Sequence, residues 1–198
     1  MPRQNPIVIA YHLVWTAYGT WLPNDPRGSG SLRVASPPLA DLGELHLGRK
    51  SIQPHFHEVR DFYKRAEPLL KFDVVRFDQQ QIERIAAAFS ETIAERRYTC
   101  YACAILPDHV HTIIRKHRDR AEEMISRLQE ASRLRLSSEG LAPRNHPVWT
   151  GGGWKSFRDS PAAVSGAIRY VEKNPVKTGL GVQSWPFVQP YDGWNFGK

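Results

Sequence analysis

The stretch Tyr98-Thr-Cys-Tyr-Ala-Cys-Ala-Ile-Leu106, Pro107-Asp108, His109-Val-His-Thr-Ile-Ile-Arg115 decides how this chain is read. Two runs of apolar and β-favouring residues flank a two-residue Pro-Asp punctuation, the pattern of paired strands joined by a tight turn. A strand sends residues i and i+2 to the same face. His109 and His111 therefore point the same way about one strand repeat apart, a spacing that one divalent ion can bridge. Alone, a His-x-His is half a site, since two neighbouring histidines also occur as surface or satisfied core residues.

Upstream of this pair, Asp78 opens a helix with Gln81 at the capping-box position, and Ile82, Ile85, Ala86, Phe89 and Ile93 follow at helical spacing. Earlier still, Ile7 to Trp15 is a buried-strand pattern. Downstream, Asp119 with Glu122 forms a second capping box, and its helix carries Ile125 and Leu128 and runs to about Leu136. Residues 144–158 predict a strand, a glycine turn and a short strand. Ser160 and Pro161 supply an N-cap and a first-turn proline for a last helix, which Asn174-Pro175 is expected to end. The order strand, helix, strand, strand, helix, strand is that of an α+β ferredoxin-like βαββαβ sandwich with an antiparallel sheet and one appended C-terminal helix.

Residues 19–73 interrupt this pattern. Gly, Pro and Ser are dense, a short helix is expected near 58–67, and the segment is too long for a simple connection. It reads as an insertion in a single domain spanning 1–198. A second His-x-His, His55-Phe-His57, lies there in a polar segment without strand pattern and reads as surface. An aromatic-rich tail, 181–198, is expected to pack on the domain.

A chain of 198 residues with 41% hydrophobic content is long enough for one ordinary core. No apolar run approaches the roughly 18–20 residues of a membrane span. The start, Met-Pro-Arg-Gln-Asn-Pro, lacks the features of a signal peptide, so a cytoplasmic location is the default expectation. The two cysteines, Cys100 and Cys103, form a Cys-x-x-Cys with no second pair to complete a zinc site. In a regular strand they would face opposite sides, and they read as buried, inert thiols.

The net charge is +7. Between His109 and Leu180, 13 Lys/Arg stand against 7 Asp/Glu, so +6 of the +7 lies there. Such a balance favours a polyanionic partner, and nucleic acid leads among them.

The last helix presents Val164, Ala167, Ile168 and Val171 as its apolar stripe. Tyr170 lies about 110° from the middle of that stripe, on the flank, with Asn174 one turn further on the same side. On the residues alone a partly buried tyrosine and a helix-ending asparagine is the better reading, ahead of a phenol beside a metal-ligating amide.

Pro107-Asp-His-Val-His111, Gly153-Trp-Lys155 and Ile168-Arg-Tyr-Val-Glu-Lys-Asn-Pro175, together with Tyr11-His-Leu-Val-Trp-Thr, resemble the single-tyrosine HUH transposases of insertion sequences, which include the REP-associated tyrosine transposases. The similarity covers 7–18 and about 74–180, with 19–73 as a subfamily insertion. It implies the same fold. It also implies an enzyme in which Tyr170 attacks a phosphodiester of single-stranded DNA, leaving a 5′-phosphotyrosine and a free 3′-hydroxyl, with later strand rejoining. By position, His109 and His111 would hold a divalent metal, Mg²⁺ or Mn²⁺, and Asn174 would be a third ligand. The partner would be single-stranded or hairpin DNA, and a homodimer is possible in the family; no membrane partner is expected.

These roles agree with chemistry. A phenol of pKa about 10 is a weak nucleophile at neutral pH without assistance. A divalent cation offsets the charge that develops on a reacting phosphate. Candidate DNA contacts are Arg115, Lys116, Arg118 and Arg120 after the histidine strand, Lys155 and Arg158 before the tyrosine helix, and Arg169, Lys173 and Lys177 on or after it. Trp15, Trp21 and Trp154 are candidate stacking residues, with core packing the better reading of Trp15. The competing readings are a hairpin-binding protein that has lost catalysis and a water-using nuclease that ignores Tyr170.

Overall fold

The computed structural model describes residues 7–34 and 36–195; the opening hexapeptide lies outside them. Four strands, β1 (Ala10–Thr16), β2 (Cys100–Ile105), β3 (His109–Arg115) and β4 (Trp154–Arg158), form one sheet in the order β2-β3-β1-β4. Every neighbouring pair is antiparallel. With α3 (Gln79–Arg96) between β1 and β2 and α4 (Ala121–Ser138) between β3 and β4, this is the expected ferredoxin-like sandwich. The last helix, α5 (Pro161–Lys177), is appended after β4. Among the described residues no helix is long and apolar enough to cross a membrane.

Strand alternation divides the molecule into two layers. Tyr11, Leu13 and Trp15 of β1 and Val110 and Ile114 of β3 join Ile82, Ile85 and Phe89 of α3 and Met124, Ile125 and Leu128 of α4 in the larger core. Trp15, Phe89 and Trp149 meet edge to face within it, a favoured aromatic arrangement. The opposite face is covered by α5, whose Val164, Ala167 and Val171 pack on Ala10, Ala102, Ala104 and Ile113. That second core is smaller, and α5 lies over β2 and β3 rather than over the whole sheet.

Helix starts follow local chemistry. At α3, Asp78 Oδ1 accepts from Gln81 N at 2.8 Å and Gln81 Oε1 accepts from Asp78 N at 3.0 Å, the reciprocal box expected from sequence. α4 starts one residue later than expected: Arg120 is the N-cap, and Glu123 takes its backbone N–H. Asp119 is otherwise engaged, accepting from the Tyr98 hydroxyl at 2.7 Å and pairing with Arg127. α5 does begin at Ser160-Pro161, but Pro175 does not end it. In the last turn the proline costs only one backbone bond, and Thr178 N then closes the helix on Asn174 O and Pro175 O.

Other boundaries shift for comparable reasons. β1 begins at Ala10, although Ile9 still bonds Arg158 and Lys116 through its backbone. The strand expected near Trp149 reduces to a single bridge with Ala17. A bulge between Cys100 and Ala102 resets the alternation of β2. Both cysteines therefore face the larger core, not opposite sides. Burial pushes the Cys100 thiol up to about 12 and raises that of Cys103 well above its ordinary value, so neither forms thiolate readily.

The insertion builds its own small cluster. α1 (Pro37–Ala40) and α2 (Phe56–Ala66) contribute Leu39, Phe62 and Ala66, which pack with Leu22. Asp25 is buried under Arg27 and the Tyr63 hydroxyl, and Arg27 lies over the Trp21 ring at 3.8 Å. Trp21, a candidate for stacking, is thus already stacked. His55 caps α2 and its ring stacks on His57 at the surface, as the sequence suggested.

Candidate functional site

On the α5 side of the sheet, residues of odd number on β3 and even number on β1 and β4 share one face through the pairings His12↔Ile113, Val14↔His111 and His12↔Ser156. This brings His109 and His111 to the same face as His12. His12 Nε2 lies 3.0 Å from His111 Nδ1, and the His109 and His111 rings are 4.9 Å apart. Tyr170 closes the group from α5: its ring stands edge-on to His12 at 5.9 Å and to His111 at 5.7 Å. At 47% exposure, Tyr170 is on the helix flank, open to solvent on one side and to two imidazoles on the other.

Asn174 follows one turn later and is buried, with a side-chain nitrogen that has no hydrogen-bond partner. α5 runs antiparallel to β3, since Val164 and Ala167 pack near Ile113 while Tyr170 meets His111. The next turn of the helix therefore advances toward the His109 end of the strand.

Each imidazole is held from behind. Asp108 Oδ1 accepts from His109 Nδ1 at 2.6 Å, which leaves His109 Nε2 with its lone pair, the arrangement of a carboxylate-backed metal ligand. The same bond holds the Asp108 carboxyl below its usual range. Arg158 Nη2 lies 3.3 Å from His12 Nδ1. A guanidinium only donates, so His12 Nδ1 accepts, His12 Nε2 carries the proton and His111 Nδ1 receives it. Burial lowers His12 to about 4, helped by Arg158, and lowers His111 to about 3, helped by His109 and His12. Both are neutral at pH 7.

Arg158 is then the cation of the cluster. Among the described residues it has no carboxylate partner, and its buried Nε has no hydrogen bond. A guanidinium without a carboxylate, held against His12, whose ring also meets Tyr170, is a ready anion site.

Two imidazoles and an amide would suit Mn²⁺ or a borderline divalent ion better than Mg²⁺, which prefers oxygen ligands. No three His, Cys, Asp or Glu side chains are placed to hold a metal ion together among the described residues, so a third protein ligand would come from another residue type. The orphaned amide of Asn174 fits that need, because its oxygen and nitrogen exchange places on a simple flip. For His111 to ligate through Nε2, its proton must sit on Nδ1 and donate to His12, and Arg158 must release His12.

The other expected DNA contacts divide. Lys177 Nζ stands 5.5 Å from the Tyr170 ring centre, and Arg169 and Lys173 are exposed on the same helix. Lys155 is not at the site: the β4 alternation turns it to the opposite face, where it pairs with Glu122 of α4. Arg115, Lys116 and Arg118 line a separate cleft of about 770 Å³ with Arg96, Arg97 and Trp194. There Arg115 lies over the Trp194 ring at 3.7 Å and pairs with Asp192. Arg120 is the N-cap residue of α4 and is exposed, with only its backbone N–H engaged there. Trp15 is core, as expected.

Sequence reading missed His12 and the backing role of Asp108. The signal for His12 was a histidine inside an otherwise apolar strand. In the sequence Asp108 reads as a turn residue, although its position just before His109 puts a carboxylate within reach of that ring.

No known family profile matches this chain, and no curated protein does. Among solved structures it is similar to a REP-associated tyrosine transposase bound to a REP hairpin, with 12% identity and a TM-score of 0.47, covering 100% of this chain and 94% of that one. It is also similar to a protein of Deinococcus radiodurans R1 assigned as a transposase, with 13% identity and a TM-score of 0.36, covering 92% of this chain and 98% of that one.

Proposed function

We propose that this protein is a metal-dependent single-stranded DNA transposase in which Tyr170 is the nucleophile. The observation that carries the reading is the position of Tyr170, half open to solvent and edge-on to both His12 and His111, with Arg158 within hydrogen-bond reach of that same His12. A core tyrosine would be closed in, and a surface tyrosine would not face two neutral imidazoles.

In this reaction the Tyr170 oxygen forms a bond to phosphorus and the bond from phosphorus to the 3′ oxygen breaks. The phenolic proton is lost and the leaving oxygen gains one, giving a 5′-phosphotyrosine and a 3′-hydroxyl. Attack by another 3′-hydroxyl reverses the step and joins a new strand, so no water is consumed. Arg158 binds the phosphate and leaves His12 as it does so. That lets His12 carry its proton on Nδ1 and accept at Nε2, so that His111 carries its own on Nδ1, donating to His12, and offers Nε2. His109, His111 and Asn174 would hold the ion, which supplies charge compensation at the phosphate. Asp108 keeps His109 in the ligating tautomer.

The test is incubation of the protein with labelled single-stranded hairpin DNA and Mn²⁺ or Mg²⁺, followed by a denaturing gel. A covalent adduct that is lost in Tyr170→Phe is expected. Tight binding with no adduct would indicate a hairpin-binding protein without catalysis, and cleavage that survives Tyr170→Phe would indicate a nuclease that uses water.

A further inference from the structure

We infer that Trp154 is a stacking subsite for one unpaired nucleobase of the strand held at Tyr170, an inference that rests on the function proposed above. Trp154 is the first residue of β4, the edge strand. Its register with Val14, and that of Val14 with His111, sets Trp154, Val14 and His111 in one row across the sheet. Two strand spacings separate the ends of that row, about 10 Å. Trp154 therefore shares a face with His12, His111 and Arg158, on the part of the sheet beyond α5.

The residue is 57% exposed, which is unusual for the largest apolar side chain at the start of a paired strand. The backbone fixes it there. A Cβ on Gly153 would come within 2.8 Å of Val14 O, so only glycine lets β4 approach β1 at this point. On the insertion side, Gly30 packs against the edge of the ring, where a Cβ would meet Trp154 Cε3 at 3.3 Å. The ring is thus supported on one edge by the insertion while much of its surface stays open.

The floor between Trp154 and Arg158 is low, because the intervening residue on this face is Ser156. Trp154 and Arg158 are four residues apart on β4, about 13 Å. An aromatic ring at one end of a shallow track and an unpaired guanidinium at the other match the alternating bases and phosphates of a single strand. A paired duplex has no free base face to offer the ring, so the ligand is an unpaired nucleotide flanking the reacting phosphate. The insertion gains a function by the same geometry, since Gly30 supports the ring.

The experiment is a binding cycle with the full-length protein. A hairpin with single-stranded flanks is made intact and with one abasic position at a time along each flank, and affinities are measured for wild type, Trp154→Ala and Trp154→Phe. Trp154→Ala is expected to weaken binding of the intact strand on the order of tenfold, and Trp154→Phe to keep most of the affinity. At one flank position the abasic change should weaken wild type by a similar factor and weaken Trp154→Ala no further. The subsite is overturned if Trp154→Ala binds as wild type does, or if it weakens every abasic strand equally with no position uncoupled. Adduct formation by wild type in the same samples separates the two failures. An adduct without coupling removes only the subsite; no DNA binding and no adduct removes the proposed function with it.

Discussion

On β3, Val110 and Ile114 point into a closed core under two helices, while His109 and His111, reached by the same backbone two residues at a time, point under the margin of α5. The larger core is roofed by α3 and α4 along its length and filled with Trp15, Phe89, Met124 and Leu128, all fully buried. The α5 face is roofed mainly over β2 and β3, and at the margin of that roof lie the buried His12, Arg158 and the exposed Tyr170 and Trp154. Stability is concentrated on one face and titratable, partly open chemistry on the other. A sheet allows this because alternation isolates the two sets of side chains from each other.

The contrast is open to breaking by mutation. Phe89→Ala on the closed face should cost about 3–5 kcal/mol of folding stability, whereas Tyr170→Ala should cost less than about 1 kcal/mol, both measured by urea unfolding. Equal costs would mean that α5 closes its face as tightly as α3 and α4 close theirs.

The next largest effect is pH. His12 and His111 have depressed pKa values in the folded chain, so the unfolded chain binds more protons below about pH 6.5. Stability is fully present above that pH and falls as pH drops below it, the loss being complete near 4 for His12 and near 3 for His111. For His12 the loss is on the order of 3 kcal/mol. His12→Gln should flatten the decline between pH 6.5 and 4; an unchanged profile would show that His12 is not buried as a neutral ring.

Asp108→Asn sharpens the open face itself. Loss of the carboxylate behind His109 should weaken Mn²⁺ binding about 10- to 100-fold by titration calorimetry, with little change in unfolding. Asp119→Asn, on the other side of the sheet, should leave Mn²⁺ affinity as in wild type. The smallest effect belongs to Lys155→Gln. Its pair with Glu122 is exposed and on the closed side, so stability should change by no more than about 1 kcal/mol and DNA affinity should hold. Arg158→Gln, three residues away, should weaken DNA binding clearly; matching results for the two would erase the distinction between the faces.

Much of the fold was legible because each element carried its own signal: the Asp78-Gln81 box, the Ser160-Pro161 start and the apolar runs around Pro107-Asp108. The Tyr170 flank position was legible too, from the stripe of Val164, Ala167 and Val171. What escaped reading depended on contacts between distant segments. His12 meets His111 across 99 residues of sequence, and only the strand register sets that diagonal. The bulge in β2 that turns both cysteines to one side leaves no mark in a run of uniformly apolar residues. Lys155 sits in sequence beside Trp154 and Arg158, but strand parity sends it to the other face. The insertion could be delimited by composition, yet its cluster of Leu22, Leu39 and Phe62 and its support of Trp154 required the fold.

The central claim is that Tyr170 becomes covalently attached to DNA. It is tested most directly by digesting the protein after reaction with single-stranded hairpin DNA and Mn²⁺ and sequencing the nucleotide-bearing peptide by mass spectrometry. The account predicts a 5′-phosphonucleotide on Tyr170, absent from Tyr170→Phe and strongly reduced in His111→Ala. Attachment at any other residue, or strand cleavage without a protein-linked 5′ end, would contradict it.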